Sequence, residues 1–140
     1  MIGHDKLQQG TTEWFDMVGT LMSDAALRSG LAPDFTVSFV ERYTDGVELP
    51  GGLVQGIRFD IVDGKPSYRV GARLEEQADI TVEVTAAAAR ALNLLPGGDQ
   101  RYAAVRDEVL RASEMRVEGD VSRLGAWLET VHDRIVERTK

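Results

Sequence analysis

The segment from Ala78 to the C-terminus constrains the fold more than any other part of the chain. It begins with the alternating run ADITVEVT and an alanine-rich helix pattern that ends at Pro96-Gly97-Gly98. A second helix pattern, the short strand EMRVEGD and a last helix with one apolar face follow. The segment supplies apolar surface in quantity and no obvious catalytic group. We therefore expect a protein that holds an apolar compound rather than one that cuts or transfers a chemical group.

The part of the chain before this segment is rich in strand patterns. In FTVSFVERYT the residues Phe35, Val37 and Phe39 share one face, which is the period-two alternation of a half-buried strand. Asp63-Gly64-Lys65 separates two further alternating runs and predicts a β-hairpin. The predicted strands lie at about 35–43, 53–62, 67–74, 79–85 and 114–118. The first four, in this order, favour an antiparallel meander with one buried face.

Helical periodicity predicts an N-terminal helix over 12–29 and further helices over about 86–95, 100–112 and 121–137. The predicted fold is a single α+β domain over 1–140, in which helices cover one face of a mainly antiparallel sheet of about five strands. Phe15 and Met17 flank the main apolar stripe of the first helix. They indicate a surface on which a homodimer could form.

Composition excludes several classes of function. The 140 residues contain no cysteine, which excludes disulfides and thiolate catalysis and removes the usual sulfur ligands of zinc. The net charge of −7 disfavours nucleic acids and anionic lipid surfaces as partners. Neither a signal-peptide pattern nor a run long enough for stable membrane insertion is present, so we expect a cytoplasmic protein. His4 lies in a terminus expected to fray, and His132 lacks a nearby partner for general base catalysis.

The order of these segments resembles the sterol carrier protein family (type two, the non-specific lipid-transfer domain). ADITVEVT resembles a strand of that family, MRVEGDVSRLGAWL its Gly-Asp junction and final helix, and FDIVDGK its hairpin turn. The resemblance covers about Phe35 to Ile135. This chain lacks the family's lysine after the first C-terminal helix and its compact glycine-containing segment; it has Gly97-Gly98-Asp99-Gln100 and a longer helix, Tyr102 to Ala112, instead.

The resemblance implies an apolar tunnel between the sheet and the C-terminal helices. From the residues themselves we expect no cofactor, metal ion or catalytic residue. Relatives bind sterols, fatty acids and fatty acyl thioesters, and some bacterial relatives assist isoprenoid quinone synthesis. The residues expected to line the tunnel are Phe39, Ile80, Val82, Leu92, Leu95, Val105, Val109, Met115, Leu124, Trp127, Leu128 and Val131. Core packing of an amphipathic terminal helix is the simpler interpretation of the stripe on the last helix, and it is compatible with a tunnel, since a tunnel wall is also a core.

Polar groups at the mouth of such a tunnel would orient the ligand, and Arg90, Arg101 and Tyr102 are the candidates. For both arginines, a position on a solvated helix face is the simpler interpretation. Asp60 and Asp63 do not form an acid–base pair in this prediction, because their spacing near a strand end puts them on opposite faces.

Two other functions remain open from the sequence. One is a ligand-free interaction or dimerisation module with a packed core. The other is a small hydrolase or isomerase, which needs a polar dyad inside the cavity and would be supported by a strongly shifted carboxyl pKa there.

Overall fold

The computed structural model describes residues 5–140, so His4 lies outside the described residues. Its elements, in chain order, are α1 (Thr12–Arg28), β1 (Val37–Tyr43), β2 (Glu48–Leu49), β3 (Leu53–Val62), β4 (Lys65–Ala72), β5 (Ile80–Val84), α2 (Ala86–Asn93), α3 (Gln100–Arg111), β6 (Met115–Glu118), a 3-10 helix (Val121–Leu124) and α4 (Trp127–Glu137). None of the helices in the described part is long and apolar enough to cross a membrane.

The strands form one mixed sheet of six strands. Strand β3 pairs antiparallel with β1, β2 and β4, and β5 pairs antiparallel with β6. Strand β5 returns to the other edge of β1 and pairs with it in parallel, with Glu41 opposite Val82. The predicted α+β class with a mainly antiparallel sheet is confirmed. The predicted meander is wrong, because β5 lies beside β1 instead of β4. Strand β2 is not among the predicted strands.

The hairpin turn between β3 and β4 is built by the two residues that the sequence indicates. Asp63 and Gly64 have φ angles of 51° and 74°, and Val62 pairs with Lys65 across them. Two consecutive positive φ angles are typical of a type I′ turn, whose twist matches that of the flanking strands. This turn fixes the register that places Ile57, Phe59 and Ile61 on one face of the sheet.

The helices cover that inner face. Strand β1 contributes Val37, Phe39 and Tyr43 to the hydrophobic cluster, and α1, α2, α3 and α4 close over it. Helix α1 approaches β4 so closely that a Cβ atom on Gly19 would lie 2.3 Å from the ring of Tyr68. The predicted dimer surface on α1 is wrong in its residues, because Phe15 and Met17 are only 1% and 7% exposed and pack in this core.

The predicted helix over 121–137 is divided in two. The 3-10 helix is capped by Asp120, whose side chain accepts a hydrogen bond from the backbone N–H of Ser122. Gly125 then takes a φ of 122°, which ends the 3-10 helix before α4 begins at Trp127. That backbone conformation suits glycine, because a Cβ atom there would also lie 2.8 Å from the indole of Trp127.

The outer face of the sheet carries charged residues, and the 73–79 connection crosses them on its way to β5. The carboxylate of Glu76 accepts hydrogen bonds from the Arg58 and Arg69 side chains and from the backbone N–H of Arg73. Arg42, in turn, donates to the backbone carbonyl of Glu76. These contacts hold the connection that lets β5 reach the far side of β1.

We expect Glu76→Gln to lower the free energy of unfolding by about 2 kcal/mol at neutral pH, since it removes a charge that receives several hydrogen bonds. Burial raises the pKa of Glu76, but the donors from Arg73, Arg69 and Arg58 outweigh it and hold that pKa below its usual value. The stabilisation is therefore present above the unfolded-state pKa and is lost as pH falls through the folded-state pKa. Urea unfolding at several pH values measures this. A difference between the two proteins that stays constant in acid would contradict it.

Candidate functional site

The structure brings eleven of the twelve predicted tunnel residues into one hydrophobic cluster. Eight of them are buried: Phe39, Ile80, Val82, Leu92, Val109, Leu124, Trp127 and Val131. Val105, Met115 and Leu128 are partly buried against these. Leu95 stands apart, because it lies beyond the C-terminal end of α2, where its carbonyl group lies 2.8 Å from Nε2 of His132. The cluster joins the inner face of the sheet to α2, α3 and α4.

Trp127 anchors the first turn of α4 against the sheet. Its ring centroid is 5.7 Å from that of Phe59, and its indole N–H donates to the carbonyl of Leu124 at 2.7 Å. The hydrogen bond satisfies the one polar atom of the side chain, so the rest of the ring can be buried at little cost.

Glu41 is the one carboxylate that β1 places on the inner face of the sheet. It lies between Phe39 and Tyr43 along the strand and opposite Ile57 and Val82 on the neighbouring strands. These four neighbours are between 1% and 8% exposed, whereas Glu41 itself is only partly buried. A residue at the centre of a packed sheet face keeps accessible surface only if the layer above it does not close over it.

The carboxylate of Glu41 has no hydrogen-bond partner among residues 5–140. Every fully buried side-chain nitrogen or oxygen in this part of the chain has a partner, so the Glu41 oxygens must reach accessible space. Burial raises the pKa of Glu41 to about 7. The side chain is therefore desolvated by its apolar neighbours and yet is not enclosed by them.

Helix α3 is the least buried of the four helices that close over the inner face. Only Val109 is buried among its twelve residues. Burial is the main influence that raises the pKa of Tyr102; the charge of Arg106 lowers it, and the charge of Glu41 raises it. The Tyr102 side chain packs against the hydrophobic cluster of the inner face. The Tyr102 ring also lies 4.8 Å from the ring of His132 on α4. The inner face thus combines an apolar surface with a carboxylate and a phenol.

The two arginines expected at the mouth lie elsewhere. Arg101 pairs with Asp99 at 2.8 Å on the surface, and Arg90 donates to the backbone carbonyl of Lys140. Both positions fit the solvated-face interpretation. Of the three candidates for the mouth, only Tyr102 is close to the inner face.

Two surface depressions stand out, and neither contains Glu41 or any predicted tunnel residue. One, of about 450 Å³, is lined by Arg73, Leu74 and Glu75 together with Gly52 and Glu76. The other, of about 270 Å³, lies between α1 and the chain termini and includes Met17 and Arg138. Both are open hollows rather than enclosed tunnels.

Asp60 and Asp63, the two acidic residues considered for catalysis, both have structural roles. Asp60 accepts hydrogen bonds from Arg58, and Asp63 occupies the hairpin turn. No group of three or more potential metal ligands is present in the described part of the chain.

Sequence reasoning missed Glu41, although the signal was present. The alternation that puts Phe35, Val37 and Phe39 on one face continues to position 41, so the carboxylate falls on the apolar side of the strand. A charged residue on that side is the informative exception to the pattern.

The solved structures that superpose on this chain include several sterol carrier proteins. A crystal structure of sterol carrier protein 2 superposes with a TM-score of 0.51, covering 93% of this chain and 98% of its own at 11% identity. A solution structure from Thermus thermophilus, described as possibly a sterol carrier protein, superposes with a TM-score of 0.49. It covers 94% of this chain and 92% of its own chain at 12% identity. The ubiquinone synthesis protein UbiJ-SCP2 superposes with a TM-score of 0.43. It covers 86% of this chain and 85% of its own chain at 16% identity.

Because the sequence identity to sterol carrier protein 2 is only 11%, that superposition is evidence for a shared fold alone. No protein-family model matches the sequence, and no curated protein matches it. The predicted resemblance is confirmed by the whole-length match to sterol carrier protein 2 and by the shared α+β layering. This chain has the sterol carrier protein fold.

Proposed function

We propose that the protein binds a lipid between the inner face of its sheet and helices α2, α3 and α4, and that it acts as a carrier. The observation that carries this proposal is the accessible surface of Glu41 among neighbours that are almost fully buried. It supports incomplete packing at the point where the predicted tunnel residues converge. The sterol carrier protein fold supports the same interpretation.

An apolar wall is sufficient to hold such a ligand. Burying one methylene group contributes about 0.8 kcal/mol, so a chain of about fifteen would gain roughly 12 kcal/mol before ordering costs. Helix α3 can move outward to admit the ligand because so little of it is buried. The classes proposed from the resemblance are sterols, fatty acids and fatty acyl thioesters, and an accessory role in isoprenoid quinone synthesis would use the same wall.

Organic extraction of freshly purified protein, followed by mass spectrometry, tests the proposal. We expect close to one equivalent of an apolar compound per chain, and its identity separates a sterol, an acyl compound and an isoprenoid quinone. Extracts without any such compound, combined with a failure to bind an uncharged fluorescent apolar probe, would favour the ligand-free interaction module.

A variant that fills the space gives a second test. Val82→Phe adds bulk beside Glu41 and should lower probe binding by about tenfold or more, because it occupies the volume that the ligand needs. Val62→Phe is the matched control, since Val62 is 54% exposed on β3. Equal probe binding by the two variants would place the ligand elsewhere.

Glu41 also favours a second candidate, an acid–base enzyme that acts on an apolar substrate. A carboxyl group with a pKa near 7 is suited to general acid–base chemistry. Such chemistry also needs a partner group, and within residues 5–140 no side chain is hydrogen-bonded to Glu41. The carrier therefore ranks first. Conversion of the extracted compound by the protein, lost in Glu41→Gln, would reverse this order.

A further inference from the structure

Glu41 has a position that suits recognition of a ligand head group. It is the charged residue on an otherwise apolar strand face, with Phe39 and Tyr43 beside it and Ile57 and Val82 across from it. No salt bridge joins it to any lysine, arginine or histidine of residues 5–140. Its oxygens nevertheless reach accessible space on the inner side of the sheet.

A carboxylate in such surroundings is stable only if donors reach it. Ionised carboxylates accept hydrogen bonds and cannot donate them, and a buried one without donors is costly. The described residues supply no donor, so the donor has to come from whatever fills the space above Glu41. Water can donate a hydrogen bond to the Glu41 carboxylate when the site is empty, and a bound molecule has to donate it when the site is filled.

We infer, on the basis of the proposed function, that Glu41 accepts a hydrogen bond from the head group of the bound lipid. The site therefore selects amphiphiles whose head group donates, such as a hydroxyl or an ammonium group, over carboxylates with a tail of the same length. A fatty acid carboxylate would bring a second negative charge against Glu41 in surroundings that screen it poorly. A hydroxyl or ammonium group supplies the donor that the protein lacks.

The test is displacement of an uncharged fluorescent probe, diphenylhexatriene, by four compounds with matched tails. These are tetradecanol, tetradecylamine, tetradecanoate and methyl tetradecanoate, compared at about pH 8, where Glu41 is ionised. We expect wild-type protein to bind the alcohol and the amine at least about tenfold more tightly than the carboxylate. In Glu41→Gln this preference should fall below about threefold, while binding of the methyl ester stays unchanged.

Glu118→Gln is the matched control, because Glu118 is an exposed carboxylate on β6, and it should keep the wild-type order of affinities. Glu41→Leu repeats the test with an apolar side chain of similar size if the Gln variant aggregates. An unchanged order of affinities in the Glu41 variants, with the probe still bound, overturns this inference and leaves the proposed function standing. If wild-type protein binds neither the probe nor any one of the four compounds, the proposed function itself is overturned.

Discussion

Glu41→Gln is expected to raise the free energy of unfolding by about 3 kcal/mol at about pH 8 and to change it little at about pH 4. Burial raises the pKa of Glu41 in the folded protein to about 7, from 4.5 for an unperturbed glutamate. The folded state therefore binds this proton more tightly than the unfolded state. The stability that the protonated carboxyl provides is complete below the unfolded-state pKa and is lost as pH rises through about 7.

The neighbouring titratable groups do not obscure this effect. Burial is the main influence that raises the pKa of both Tyr43 and Tyr102, so these phenols remain neutral over the range concerned. The glutamine variant keeps the shape of the side chain and carries no charge at any pH. The difference between variant and wild type therefore isolates the titration of Glu41.

Urea unfolding at about pH 4, 6 and 8 measures that difference. Glu118→Gln, which changes an exposed carboxylate, should show no comparable dependence on pH. A difference between Glu41→Gln and wild type that stays flat across the range would mean that the Glu41 carboxylate is fully hydrated in the folded state. The proposed space above it would then be open to bulk water.

Phe59→Ala is expected to lower the free energy of unfolding by about 4 kcal/mol. Phe59 is fully buried at the centre of β3, where it pairs with Phe39 and Tyr68 and packs against the indole of Trp127. Removing its ring takes away the contact between the sheet and the start of α4. The surrounding strands cannot close the cavity, because their register is fixed on both sides.

Urea unfolding followed by far-UV circular dichroism measures the loss for Phe59→Ala, and tryptophan fluorescence reports the change around Trp127. Leu74→Ala is a suitable control, since Leu74 is 66% exposed and should change stability by about 0.5 kcal/mol or less. A loss below about 1.5 kcal/mol for Phe59→Ala would show that α4 does not depend on this contact for its position.

Local chemistry made several parts of the fold predictable. The Asp63-Gly64 turn needs two positive φ angles, and these residues tolerate them. The stripe of α4 with Trp127 and Val131 is buried as its period predicts. The residues predicted to line a tunnel converge for the same reason, since apolar faces of helices and strands have to pack together. Leu95 does not join them, because α2 ends at Asn93.

Other features depended on distant contacts. The residue pattern of β5 itself does not specify that it pairs with β1. The 73–79 connection leads the chain there across the outer face of the sheet, where Glu76 accepts hydrogen bonds from Arg58 of β3 and Arg69 of β4. Phe15 and Met17 look peripheral on a helical projection, yet they are buried because α1 packs on the sheet and on α4 at once.

The sequence by itself determined which faces of the strands and helices are apolar, because that follows from side-chain order and the periods of 2 and 3.6 residues. It also placed Glu41 on the apolar face of β1. Only the tertiary structure decided what that placement means, because desolvation depends on how closely α3 and its neighbours cover the sheet. Glu41 is desolvated and yet keeps accessible surface, and a charge that would otherwise be a defect in the core becomes the polar centre of the proposed lipid site.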